Sequence, residues 1–239
     1  MPKRRNCSLQ IRFILLVSLV IFISSCIPEA PPFLDAMESQ QILPLPSESP
    51  QEWLLAFIDV ETTGLLPGFH EMIDIGIAMT DPEGKLLDSL FLRIQPEHPE
   101  RLSPGAFAVN AFDPERWRQM DAFDHAAAVD SIIAFHRHSA GQKHVLMVAT
   151  NSHFDAAFLD HLFRSAGKTW RELYHYYILD LPSMAWGLGL RDLHQRELMN
   201  LYDVADEPHI AEQHTGITGA LLNARIYRAL LQYQKDHQK

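Results

Sequence analysis

Residues 57–65 read Phe57-Ile58-Asp59-Val60-Glu61-Thr62-Thr63-Gly64-Leu65, and they close an apolar run that begins at Trp53. A short, continuous apolar run ended by a Thr-Thr-Gly break has the composition of a buried strand. The two acids stand where that strand runs out. Side chains two apart on a strand share a face, so Asp59 and Glu61 are forced together. Carboxylates held that way repel unless a cation joins them, and an all-oxygen donor set suits Mg²⁺ or Mn²⁺. An isolated Asp-x-Glu is also a common exposed strand end, so its weight depends on what surrounds it.

Working outward, Met72 to Thr80 (MIDIGIAMT) reads as a second strand, Asp81 to Gly84 as a turn, and Lys85 to Ile94 as a third strand. Two closely spaced strands after the first form an antiparallel meander. Asp124 to His138 has helical periodicity through Ala127, Ile132 and Phe135. Val145 to Ala149 is another buried strand, followed by a helix from Ser152 to Ala166, and Tyr174 to Leu179 reads as a fifth strand. From Leu181 onward the chain reads as helical, ending in a helix over Ala220–Leu231. A meander followed by strand–helix units makes an α/β layered domain, a mixed five-stranded sheet flanked by helices.

The 57–65 stretch closely resembles the first motif of the DEDD 3′–5′ exonucleases over nine contiguous positions. That family includes RNase T, oligoribonuclease and the proofreading subunit of bacterial DNA polymerase III. Its second motif, an aspartate on a helix after a buried strand, is matched by Val148 to Leu159 with Asp155 as the acid. Phe154, Phe158 and Leu162 form the packing stripe of that helix and leave Asp155 free to point elsewhere. An acid near a helix N-terminus is also favoured by the helix dipole alone. The third motif pairs a histidine with an aspartate five residues on; His214-Thr215-Gly216-Ile217-Thr218-Gly219-Ala220 supplies the histidine but has Gly219 at the aspartate position. More weakly, Ser103 to Phe112 resembles the loop between the first two motifs, and Leu179 to Ala185 resembles the family's strand and helix between the second and third. The resemblance spans about residues 53–232 and implies an RNase H-like fold.

By resemblance, Asp59 would bridge two Mg²⁺ or Mn²⁺ ions, Glu61 would bind one, and Asp155 would support the other. His214 would be the general base. Thr62, Thr63, Gly64 and Leu65 would line the pocket for the 3′-terminal nucleotide, with Asn151 following the family pattern and Phe158 adding apolar surface. The substrate would be the 3′ end of single-stranded DNA or RNA. Dimers are common among the RNase T-like relatives. Gly219 supplies no ligand, which leaves two readings: an exonuclease with a weakened or rebuilt metal site, to which Asp206, Glu207 or Glu212 could contribute from the preceding loop, or a non-catalytic relative that binds nucleic-acid ends or a protein.

The chain carries a formal net charge of −10. Such acidity argues against coating long duplexes through phosphate neutralisation. It does not exclude a nuclease whose positive charge is local and metallic. Both cysteines, Cys7 and Cys26, lie ahead of the domain, so the domain has no disulfide and no cysteine metal site. Residues 1–26 begin with Lys3, Arg4, Arg5 and Arg12, continue with an apolar run from Phe13 to Ile23 interrupted by Ser18, and end Ile23-Ser24-Ser25-Cys26. That is a secretory signal pattern too short for a comfortable bilayer span. Its ending resembles a bacterial lipobox, with Cys26 lipidated and the protein exported and membrane-anchored. An uncleaved anchor helix, or a cytoplasmic enzyme started at Met37, are the alternatives. Residues 27–52, rich in proline and serine, read as an extended linker to an exonuclease-like domain at 53–239.

Overall fold

The computed structural model describes residues 45–208 and 210–237. The signal, lipobox, Cys26 and Met37 readings, and most of the linker, fall outside them. Among the described residues no helix is long and apolar enough to cross a membrane.

Five strands build one sheet in the order β3-β2-β1-β4-β5. They are β1 (Trp53–Thr62), β2 (Met72–Thr80), β3 (Leu86–Arg93), β4 (His144–Ala149) and β5 (Ile178–Asp180). The first three form the expected antiparallel meander, and β4 joins β1 in parallel. β1 is therefore central and buried on both faces, which is why Trp53 to Ile58 has no polar residue.

Alternation along β1 sorts two cores. Leu54, Ala56, Ile58 and Val60 face one layer with the helices His125–Ala140 and Ser152–Ser165. Trp53, Leu55 and Phe57 face the other, with Leu181–Gly187, Gln195–Asn200 and Gly216–His237. In chain order the helices are α1 (Pro104–Asn110), α2 (Pro114–Gln119), α3 (His125–Ala140), α4 (Ser152–Ser165), α5 (Leu181–Gly187), α6 (Gln195–Asn200) and α7 (Gly216–His237). The result is the α/β layered domain that the sequence suggests.

Three elements differ from expectation. The stretch 103–112 contains α1, started by Ser103, whose hydroxyl accepts from Ala106 N, and by Pro104 in the first turn. The fifth strand is confined to Ile178–Asp180 because Tyr174 turns into the core beside Trp170 and His136 instead of joining the sheet. Among the described residues, the segment after Leu181 is broken into two short helices, and residues 201–208 and 210–215 lie outside any helix before α7 begins.

Candidate active site

The register of β1 against β2 sets the first half of the site. Asp59 stands opposite Gly76 and Glu61 opposite Asp74. Directly opposed residues of an antiparallel pair share a face, so Asp59, Glu61 and Asp74 lie together on the side covered by α7. Glu61 and Asp74 are buried, and Asp59 keeps partial exposure. A side chain at Gly76 would overlap the backbone of Gly216, and one at Gly216 would overlap the Asp59 carbonyl and Gly76 N. The two glycines let the N-terminus of α7 rest on the strands. Asp74 Oδ1 then accepts from Gly216 N at 2.8 Å, satisfying an otherwise orphaned helix donor.

Asp155 arrives from the opposite layer. It sits in the first turn of α4, 3% exposed, and its Oδ1 accepts from Val60 N at 3.2 Å, between the two β1 acids. The entry to α4 is unusual. Asn151 adopts a left-handed backbone at φ 63° and its side chain makes no cap bond. The end is capped instead by Asp180, whose Oδ2 accepts from Ser152 N at 3.0 Å while its Oδ1 caps α5 through Ser183. One aspartate thus fixes both the α4 turn that carries Asp155 and the start of α5.

His214 completes the group. Its Nε2 lies 3.0 Å from Glu61 Oε1, and its Nδ1 lies 3.6 Å from Oε2 of Glu207. Glu207 also accepts from Thr218 Oγ1 at 2.9 Å. Gly219 follows immediately, and a Cβ there would overlap the Asp59 carboxylate. Position 219 therefore does face the acids, as the third-motif alignment implies, but the helix presents only backbone to Asp59.

The electrostatics follow from crowding. Burial, then the charges of Asp155, Glu61, Glu207 and Asp74, hold the Asp59 carboxyl well above its ordinary range. Burial also pushes Asp74 and Asp155 up to about 8, with the Glu61 charge adding to both. His214 is raised to about 9, first by its hydrogen bond to Glu61, against the opposing effect of burial. In this arrangement the imidazole keeps its proton at neutral pH and serves as counter-ion to Glu61. Several buried carboxylates that resist ionisation together are a donor set fitted to a hard divalent cation, which would let all of them ionise. Asp59, Glu61 and Asp155, the acids that the resemblance assigns to a cation, stand in this cluster, but their ligand atoms do not all lie within 4.8 Å of one another.

Beside Glu61 lies an apolar recess of about 270 Å³, lined among others by Thr62, Gly64, Leu65, Val109, Asn110 and Phe154. Asn110 donates from Nδ2 to Thr62 O at 3.0 Å, fastening α1 to the end of β1. Leu65 is 78% exposed at its rim. Of the expected pocket residues, Thr62, Gly64 and Leu65 line this recess. Thr63 does not: it is fully buried, and its Oγ1 accepts from Glu71 N. Phe158 is a correction as well, since it is packed in the core against Phe154, and Phe154 supplies the apolar wall instead. Asn151 is exposed at the α4 turn and does not line the recess.

Sequence reasoning did not single out Asp74 or Asn110. Asp74 left a signal, an acid inside the apolar strand MIDIGIAMT, whereas Asn110 left none. A separate trio, Glu71, Glu97 and His125, brings one ligand atom each to within 4.8 Å of the others. Both Glu71 oxygens there already accept backbone amides, from Glu97 and His98, which accounts for its burial without a metal.

No protein-family model matches the chain, and no curated protein matches it by sequence. Solved structures do. The chain superposes on exonuclease I in the structure said to suggest how processivity is achieved, with a TM-score of 0.60 at 16% identity, over 78% of this chain and 44% of that one. It is similar to the zinc-bound E. coli exonuclease I–single-stranded DNA complex (TM-score 0.58, 16% identity, 77% and 43% covered). The E. coli enzyme with a dT13 oligonucleotide gives a TM-score of 0.62 at 15% identity, over 77% and 42%. The likeness shows the fold alone, an RNase H-like one. The chain shares that fold with a part of exonuclease I, spanning less than half the length of those structures.

Proposed function

We propose that the chain is a divalent-metal-dependent exonuclease that removes nucleotides from the 3′ end of single-stranded DNA or RNA. The observation that carries this reading is the convergence of Asp59, Glu61, Asp155 and His214 at the end of β1, next to an apolar recess. When bound, divalent ions would supply charge neutralisation and polarisation at the scissile phosphodiester. The chain's own residues do the rest. Leu65, Thr62 and Phe154 seat the terminal nucleotide by apolar contact, with Asn110 holding the wall of the recess in place. Asp155, fixed by Val60 N, keeps its carboxylate aimed at the β1 acids. His214 accepts the proton of the attacking water, which requires it first to lose the proton it shares with Glu61.

Two wider features belong to the same proposal. The single-stranded oligonucleotides bound in the neighbouring structures support a single-stranded substrate. The lipobox-like Ile23-Ser24-Ser25-Cys26 supports an exported domain tethered through Cys26. Gly219 favours a second reading, a domain that binds nucleic-acid ends without turnover, because it removes the acid the family places there. Digestion of short single-stranded DNA and RNA with Mn²⁺ or Mg²⁺, by wild type, Asp59→Ala and Gly219→Asp, separates the two. Turnover by wild type above Asp59→Ala supports the exonuclease; turnover by Gly219→Asp alone supports the binding domain.

A further inference from the structure

We propose that Arg93 and Arg116, which share the ring of Trp117, bind the phosphodiester backbone of a single strand just upstream of its 3′-terminal nucleotide. The proposal rests on the exonuclease reading above for the class of ligand and adds a binding surface outside the carboxylate cluster.

Strand register places Arg93. It stands opposite Asp74, and Asp74 stands opposite Glu61, so the three form one row on one face of the sheet. Both pairings are antiparallel, and β3 therefore finishes at the same end of the sheet as β1. Two strand spacings, about 10 Å, separate Arg93 from Glu61. Trp117 is held at this end by its indole N–H, which donates to Ile73 O at 2.7 Å. Arg116 and Trp117 belong to α2, which follows α1, the helix that walls the recess with Val109 and Asn110.

The guanidinium carbon of Arg93 lies 4.8 Å from the Phe91 ring centre and 5.8 Å from that of Trp117, and that of Arg116 lies 5.0 Å from Trp117. Two like charges share one indole in a chain whose net charge is −10. The acids nearby are committed elsewhere. Asp74 accepts from Gly216 N and feels the Arg93 charge without pairing with it. Asp113 caps α2 through Arg116 N at 2.7 Å, and Glu115 pairs with Arg118 at 2.6 Å. Among the described residues neither Arg93 nor Arg116 forms an ion pair, and the buried Nε of each has no hydrogen-bond partner. Arg116 finds one protein acceptor, Ala111 O at 2.6 Å. Stacking on the rings fixes both half-buried groups and leaves N–H donors unused. Keeping two such cations together without a counter-ion costs free energy that a bound anion recovers. Phosphate is the anion whose oxygens match the guanidinium fork. A strand whose 3′ end lies beside Glu61 must lead its next phosphates away from the carboxylates, and the row from Glu61 to Arg93 gives them a cationic place to go.

Fluorescence anisotropy of a short 5′-labelled dT oligonucleotide with the full chain, in EDTA so that no bond is cleaved, tests the pair without reference to turnover. Arg93→Gln and Arg116→Gln should each weaken binding about 10-fold at low salt, the scale of one charge-assisted hydrogen bond. Each should also flatten the plot of log association constant against log salt by about 0.7, the share of one phosphate contact on a single strand. Arg93→Lys keeps the charge and should keep the slope, a rescue that a merely structural role does not give. Arg164→Gln, on the exposed surface of α4 where Asp160 pairs with it at 2.7 Å, should leave affinity and slope at wild-type values. Wild-type affinity and slope in both glutamine variants, or no binding by wild type, overturns the proposal. So does weaker binding with an unchanged slope. Stepwise cleavage by a chain whose arginine variants bind like wild type overturns the arginine pair alone. Arginine-dependent binding by a chain that does not cleave supports the pair and overturns the exonuclease reading.

Discussion

Asp155 illustrates how a single side chain is placed by three elements at once: it rides on α4, takes its backbone donor from β1, and depends on Asp180 to hold the turn that carries it. Asp155→Asn keeps the shape and the Val60 bond but halves what the carboxylate offers a cation. Activity should fall about 10- to 100-fold with little change in melting temperature. Removing the general base in His214→Ala should cost about 10²- to 10⁴-fold in kcat, measured at saturating oligonucleotide. Leu65→Ala acts elsewhere. The loss of an exposed apolar contact at the rim of the recess should appear in KM with kcat nearly unchanged, and an equal fall in both kcat and kcat/KM would contradict that role. Asp59, Glu61, Asp155 and His214 were legible in the sequence because each sits in a contiguous motif. Asp74 and Glu207 were harder to place, for a physical reason. The first is brought to Glu61 by strand register and the second by a loop that folds back on α7, and neither relation is written in local spacing.

At the scale of elements, the seating of α7 on the sheet is a packing requirement met by missing side chains. Gly76 and Gly216 face each other across the strand–helix contact, and a methyl group on either meets backbone, which cannot rotate away. Gly216→Ala should therefore destabilise by about 1–3 kcal/mol, an overpacking cost that outweighs any gain in helix propensity. Gly76→Ala should behave alike, and the urea midpoint checks both. At Gly219 the neighbour is a carboxylate end, which can swing aside. The sheet order was readable because buried strands have distinctive apolar runs. The α1 helix was not, because Ser103-Pro104 is as good a loop signal as a helix start. β5 was overread because Tyr174, strand-like in composition, is consumed by the α3–α4 core.

Taken as a whole molecule, the layer on the far side from α7 holds a pH-sensitive group away from the site. Burial lowers His136, on α3, to about 4, partly offset by a hydrogen bond with the Leu173 backbone. The unfolded chain binds this proton near pH 6.5 and the folded chain does not, so the stabilisation is complete above about pH 6.5 and is lost as pH falls toward 4. The full effect is about 3 kcal/mol. It should show as the difference between the denaturation curves of wild type and His136→Phe across that range, a comparison that cancels the opposite trend from the raised site carboxylates. The proposed tether predicts that Cys26→Ser moves the chain from the membrane fraction to the soluble one, and unchanged fractionation would contradict it. The proposed activity is cation-dependent removal of nucleotides from the 3′ end. It is tested most directly by following a 5′-labelled single-stranded oligonucleotide through time with Mn²⁺. Wild type should shorten it stepwise from the 3′ end, with EDTA and Asp59→Ala each abolishing the ladder. An intact oligonucleotide with wild type, or a ladder that persists in Asp59→Ala, would contradict the account.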